Sequence, residues 1–334
     1  MRAAVVGAGF VGRIHARALR SHPDIQLVGV CGRTRPKTEA LAAELGTPSF
    51  LAVADMLERT APDIVCVATG NRDHCDPTVA SLRAGASVFV EKPMAFSLEE
   101  ARAMVAAADQ SRVALGVNFN HRFSAPYQRA LAFMNEGSLG AVAYVLVKFA
   151  GDLYKDLNDP YCMLIETQGH SFDLMRLFGG EIEHVSAEVA DPRNMGIYTS
   201  AAVTVKYTSG AVGTLLGSWD SSYAHPGSQL LEVSGTDGRV VVDNVVDSVR
   251  FFRHDSDDYQ EWRPGIFDAQ SHDFWRTIDA HVHAFVDAVV QERPPPVTGA
   301  DGLRALELTF EAIASASAPH RETSPGRVAA GPSR

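Results

Sequence analysis

Residues 3–12 read Ala3-Ala4-Val5-Val6-Gly7-Ala8-Gly9-Phe10-Val11-Gly12, a small and β-branched run that gives way to spaced glycines. Strand character over 3–6 and helical spacing over 11–21 make this a strand–turn–helix. In such a turn Gly7 permits the reversal, Gly9 lets a pyrophosphate approach the backbone, and Gly12 lets helix and strand pack closely. The helix start, with Phe10 and Val11 in its first turn, then offers free N–H groups to the anion. The reading is a dinucleotide-binding loop, with a purely structural glycine turn as the alternative.

Working outward, strands at 26–31, 64–68, 87–90 and 114–118 alternate with helices at 38–45, 53–59, 76–84 and 98–110. That alternation predicts a doubly wound parallel α/β sheet, a Rossmann domain over 1–121. Beyond residue 122 the pattern changes. Helices at 126–135 and 166–178 flank a strand at 142–149. Six β-rich runs then follow without helices, at 183–190, 199–207, 212–219, 229–234, 240–243 and 249–253. Turns such as Thr236-Asp237-Gly238 mark them as hairpins of an open, mainly antiparallel sheet. Helices at 271–291 and 299–317 close an α+β domain over 122–318, and the polar tail at 319–334 reads as flexible.

The chain has 334 residues, 46% hydrophobic and 21% charged, with a formal net charge of −10. This length favours two domains and gives ample core. The acidic balance and the lack of any Lys/Arg block argue against nucleic acid or anionic lipid as partner. No apolar run reaches the ~18 residues of a membrane span, and the N-terminus has no secretory signal pattern. The four cysteines, Cys31, Cys66, Cys75 and Cys162, have no CxxC spacing and read as reduced thiols of a cytoplasmic protein. Only five of the 30 basic residues are lysines, which singles out any lysine beside a site.

One lies in Glu91-Lys92-Pro93, after the apolar strand at 87–90. Ligands of open α/β sheets bind beyond the carboxyl ends of strands, so Lys92 points at the expected crevice, where an ammonium favours a developing alkoxide. The bland reading is a surface lysine at a strand exit. Glu166, His170 and Asp173 fall at i, i+4 and i+7 of one predicted helix and share a face. An imidazole between carboxylates suits a general base titrating near neutral pH, and a solvated helix face is the alternative. No ligand spacing joins the stripe to His121 or to His281-Val282-His283, so no metal is expected. About 20 residues beyond Gly12, where an NAD-binding domain carries an acid for the ribose hydroxyls, stands Gly32, followed by Arg33, Thr34 and Arg35. Arginines in place of the acid suit a 2′-phosphate, which favours NADP(H), with NAD(H) as the alternative.

The glycine loop, Glu91-Lys92-Pro93 and His170 three residues before Asp173, in this order, resemble the Gfo/Idh/MocA oxidoreductases. So do Asn71-Arg72-Asp73-His74, Asn118-Phe119-Asn120-His121-Arg122-Phe123 and Val297-Thr298-Gly299-Ala300-Asp301-Gly302, so that the similarity runs from Met1 to about Ser317. The resemblance implies an NAD(P)-dependent oxidoreductase for a sugar, cyclitol or sugar derivative. Lys92 matches the family's lysine and His170 its catalytic histidine. Glu166 stands where many members carry Asp, with an arm one methylene longer. It further implies a cofactor cleft including Thr69, Asn71, His74, Glu91 and Lys92. The C-terminal domain would bind substrate and form a homodimer or homotetramer through its open sheet. Lys92, Glu166, His170, Asp173, Asn120 and Arg122 are the expected substrate contacts, with Asp173 on a second hydroxyl or on the far nitrogen of His170. Tyr154 and Trp219 are further candidates for the substrate wall, and His15 is either a packed helix residue or a cofactor contact. A cofactor-sensing protein without turnover is the alternative function, against which the intact Lys92 and His170 stand.

Overall fold

The computed structural model describes residues 1–151 and 157–318; Tyr154 and the expected tail lie outside them. The first layer is a six-stranded parallel sheet. Its strands are β1 (Arg2–Val6), β2 (Gln26–Cys31), β3 (Ser49–Phe50), β4 (Ile64–Val67), β5 (Ser87–Val90) and β6 (Leu115–Val117), in the order β3-β2-β1-β4-β5-β6. β4 and β5 are buried along their whole length, as strands covered on both faces must be. The order reverses between β1 and β4, and a crevice opens beyond the carboxyl ends of those two strands. Helices α1 (Phe10–Ser21), α2 (Arg35–Leu45), α3 (Val53–Thr60), α4 (Cys75–Arg83) and α5 (Leu98–Ser111) make the crossovers.

The chain then passes through a 3-10 turn (Asn120–Phe123) and α6 (Ala125–Asn135) into an eight-stranded sheet. Its strands are β7 (Val142–Ala150), β8 (Ile182–Ala190), β9 (Ser200–Tyr207), β10 (Val212–Ser218), β11 (Gln229–Gly235), β12 (Gly238–Asp243), β13 (Ser248–Arg253) and β14 (Tyr259–Trp262). They run in the order β14-β13-β12-β11-β7-β10-β9-β8. All pairings are antiparallel except β7 with β10, which is parallel because α7 (Gly169–Gly179) and the β8–β9 hairpin intervene between them. Burial alternates along β10, so Gly213, Leu215 and Gly217 face the core while Val212 and Leu216 stay exposed. The second sheet is thus covered on one face only.

After β14 the chain returns to the first sheet. The helix expected at 271–291 is divided into a short α8 (Ala269–His272) and α9 (Arg276–Val290), and α10 (Gly299–Ser317) follows. Ile278, Val282, Phe285 and Val286 form one buried stripe of α9, packed with Ala16 and Leu19 of α1 and with Phe89. Burial of each large side chain contributes roughly 2 kcal/mol. A Cβ at Gly116 would meet the Phe285 ring at 2.7 Å, so the strand can carry only glycine beneath that helix. α9 therefore brings its N-terminal end, with Trp275 and Ile278, to the crevice of the first sheet.

Candidate active site

The glycine loop has the geometry its spacing predicts. Gly7 has φ +123°, and a Cβ there would lie 2.1 Å from the Ala68 carbonyl oxygen. A Cβ at Gly12 would lie 1.8 Å from the carbonyl oxygen of Gly7. Gly9 differs: its backbone is ordinary (φ −86°, ψ −169°), and no atom of the chain lies within 4 Å of where a Cβ would stand. Neither conformation nor internal packing requires glycine there, so the space fits an external group. α1 begins at this point without a side-chain cap and without an acid in its first turn, leaving its N–H dipoles for an anion.

Two cavities meet at this loop. One, of about 630 Å³, is lined by Gly7, Gly9, Gly32, Arg33, Thr34 and Thr69 among others; the second, of about 510 Å³, is lined by Val11, Thr69, Asn71, Glu91, Lys92, Asn120, Glu166 and His170 among others. Ala68 and Thr69 at the end of β4 belong to both. A dinucleotide has two ends joined by a pyrophosphate, and this paired cleft straddling Gly9 fits one.

In the first cavity the end of β2 carries Gly32 and Arg33 rather than an acid. Arg33 reaches across to Asp73 at 3.1 Å, and Lys37 and Arg72 also line the wall. Arg35 instead pairs with Glu39 along its own helix at 3.2 Å.

In the second cavity Lys92 extends from the end of β5 and its Nζ donates to the backbone carbonyl of Glu166 at 3.0 Å. Glu166 lies in a π-helical turn (Met163–Thr167) that precedes α7 and replaces the first turn of the expected helix. Even so, Glu166 and His170 both reach the cavity. His170 is buried at 4% exposure and stacks on His121, with ring centroids 3.9 Å apart and planes within 3°. Burial, reinforced by His121 and Lys92, lowers the His170 pKa well below the usual imidazole value; burial and Lys92 push His121 down to about 3. The expected near-neutral titration of His170 is therefore corrected: the imidazole is neutral, because burial and the neighbouring groups oppose its charged form.

The other expected contacts have partners within the chain. Asp173 binds Arg122, whose Nε donates at 2.7 Å, with a second hydrogen bond from its terminal nitrogen. The His170 Nδ1 is buried without a hydrogen-bond partner. Arg122 and Asp173 are thus a buried ion pair, and neither lines the cavities. His74 is buried and Nδ1–H donates to the Pro93 carbonyl at 2.8 Å, so it supports the main chain after Lys92 and is no lining residue. Trp219 is buried and donates to Thr167 at 2.9 Å from beneath the π turn. Phe10 is exposed and packs edge-on against Trp275, with centroids 4.9 Å apart. Asn120 does reach the cavity, though its amide donates to Thr277 at 2.6 Å. His15 is fully buried, against Glu91. Sequence reasoning missed Phe149, Tyr223, Phe274 and Trp275 in the cavity wall, which come from distant segments with no local signal. His121 sat inside a motif already singled out, and that was the signal available for it.

Known proteins share this fold. Residues 1–119 match the oxidoreductase family with an NAD-binding Rossmann fold, and residues 127–241 match the GFO/IDH/MocA C-terminal domain. Inositol 2-dehydrogenase of Rhizobium meliloti is 26% identical over 94% of this chain and 96% of its own length. The scyllo-inositol 2-dehydrogenase (NAD(+)) of Bacillus subtilis is 30% identical over 72% and 73%. A solved structure of levoglucosan dehydrogenase, in complex with NADH and levoglucosan, superposes with a TM-score of 0.84 at 20% identity, covering 95% of this chain and 96% of that one. The chain belongs to the Gfo/Idh/MocA oxidoreductase family.

Proposed function

We propose that the protein oxidises or reduces a secondary alcohol or ketone of a sugar, cyclitol or sugar derivative with a nicotinamide cofactor. The observation that carries this reading is the single cavity where Lys92, neutral His170 and Glu166 converge, joined through Thr69 to the glycine-loop cavity. Relatives named as inositol dehydrogenases support the polyol class. A bound dinucleotide would supply the acceptor or donor of a hydride; Gly7, Gly9, Val11, Thr69 and Asn71 would hold it, with Gly12 letting α1 pack close behind the loop. In oxidation, His170 takes the hydroxyl proton as the C–H bond is broken, Lys92 stabilises the negative charge developing on that oxygen, and a carbonyl results. Glu166 holds Lys92 through its backbone carbonyl, and its carboxylate accepts from a substrate hydroxyl. In reduction the proton returns from His170. Residues 1–121 bind the cofactor and contribute Lys92 to the reacting oxygen, and 122–318 supply Glu166 and His170 to the substrate, in a cytoplasmic enzyme. A second copy covers the open face of the second sheet, where Val212 and Leu216 are exposed.

NADP(H) is the favoured cofactor, because Gly32 and Arg33 replace the ribose-binding acid and Lys37 stands beside them. For a 2′-phosphate Arg33 must exchange its exposed partner Asp73, a pair contributing at most about 1 kcal/mol. Fluorescence titration with NADPH and NADH tests this. The expected result is tighter NADPH binding, weakened about tenfold by Arg33→Ala and strengthened by Asp73→Asn. Tighter NADH binding overturns the NADP(H) assignment, and binding of neither overturns the oxidoreductase reading.

A further inference from the structure

Beneath Lys92 runs a chain of buried polar side chains. His15 on α1 places Nε2 2.7 Å from Glu91 Oε1, and the Asn118 amide donates to the same oxygen at 2.6 Å. The other carboxylate oxygen accepts the backbone N–H of Lys92 at 3.2 Å. Asn118 Oδ1 in turn meets Nδ1 of His281, on α9, at 3.1 Å. The chain ties together α1, the ends of β5 and β6, and α9, each of which contributes to the cavity wall. At its two ends His15 Nδ1 and His281 Nε2 are buried without partners. Each unmade hydrogen bond costs about 1–3 kcal/mol, and apolar residues of similar shape would avoid that cost. Stability therefore does not account for a carboxylate here; its position directly before Lys92 does.

Burial pushes the Glu91 carboxyl up, but the hydrogen bond and charge of His15, the Asn118 amide and the Lys92 charge more than offset it, so the group is ionised. The Coulomb interaction is mutual, and what Lys92 does for the carboxylate the carboxylate does for the ammonium. The other titratable groups around the pair are His15 on α1, Cys66 on β4, His74 at the head of α4, His121 on the 3-10 turn, and Glu166 and His170 across the cavity.

We propose that Glu91 is a positioning residue for Lys92: its carboxylate, clamped by His15 and Asn118, anchors the main chain at Lys92 and supplies the negative charge that keeps the ammonium protonated. This rests on the reading of Lys92 as the group at the reacting oxygen. The test does not need turnover. With only five lysines, isotope-labelled dimethyl-amine NMR gives five lysine signals beside that of the N-terminal amine, and Lys92→Arg identifies the one from Lys92. Glu91→Gln is expected to lower the Lys92 titration midpoint by about one pH unit, while Glu91→Asp, which keeps the charge, leaves it near wild type. An unmoved midpoint in Glu91→Gln, or equal shifts in both variants, overturns the proposal. Should Glu91→Gln not fold, the wild-type signal decides: Lys92 must still carry its proton at about pH 9, and a lysine already neutral there overturns it. Once a substrate is in hand, the alkaline limb of kcat/KM moves to lower pH in Glu91→Gln by the same amount. Failure of the oxidoreductase reading removes that kinetic readout and leaves the lysine titration intact, so the two failures are distinguishable.

Discussion

Gly9 separates what the fold requires from what a ligand requires. A Cβ at Gly7 or Gly12 collides with backbone, whereas one at Gly9 meets only open space. Gly9→Ala is therefore expected to melt with the wild-type protein, within about 0.5 kcal/mol, yet to bind the dinucleotide at least about tenfold more weakly. Calorimetry and cofactor titration on the same sample check it, and full binding by the variant would show that no pyrophosphate lies at that position. The glycine turn, and the placement of Lys92 and His170 at one cavity, were legible in the sequence because each rests on local order: a turn, a strand end, a helix face. The partners of Asp173 and His74 were not. Asp173 is held by Arg122, 51 positions away, and His74 by the carbonyl of Pro93. Spacing shows which residues share a face and says nothing about which distant side chain arrives to meet them.

Elements were legible where a hydrophobic period persists and lost where hydrogen bonding departs from it. β3 is two residues long, and β14 is a largely exposed Tyr259–Trp262 at the sheet edge, so neither carries an alternating pattern. The π turn at Met163–Thr167 widens the helix start by a change in backbone pairing that side-chain spacing does not encode. The Arg122–Asp173 pair then fastens α7 to the 3-10 turn that carries Asn120 and His121, so it acts between elements. Removing one partner leaves a buried charge, and Asp173→Ala is expected to lose about 3–5 kcal/mol in urea unfolding while substrate KM in the folded fraction stays near wild type. A variant of normal stability with a raised KM would return Asp173 to the substrate wall.

Across the whole molecule, the two sheets enclose buried neutral histidines at their junction. His121, His170 and His281 all have lowered pKa values, with burial the leading cause. In the unfolded chain they titrate at about 6.5, so below that pH the unfolded state binds more protons. Stability is then complete above about pH 6.5 and falls as the pH drops, by about 2 kcal/mol between pH 6.5 and 5 for each histidine that stays neutral. Denaturation midpoints at pH 7 and 5 check this, and His121→Phe, which keeps the stack, is expected to make the dependence shallower. Equal midpoints at both pH values would mean that these rings charge within the fold.

The same junction is where the chemistry is assigned, and turnover tests it most directly. The measurement is the appearance of reduced-nicotinamide absorbance when the protein is mixed with oxidised cofactor and a panel of cyclitols and sugars, for wild type and for His170→Ala. The predicted result is turnover of at least one polyol by the wild-type protein and a loss of about 100-fold or more in His170→Ala, with cofactor affinity unchanged. Cofactor binding without turnover of any polyol, or a His170→Ala protein as active as wild type, would contradict it.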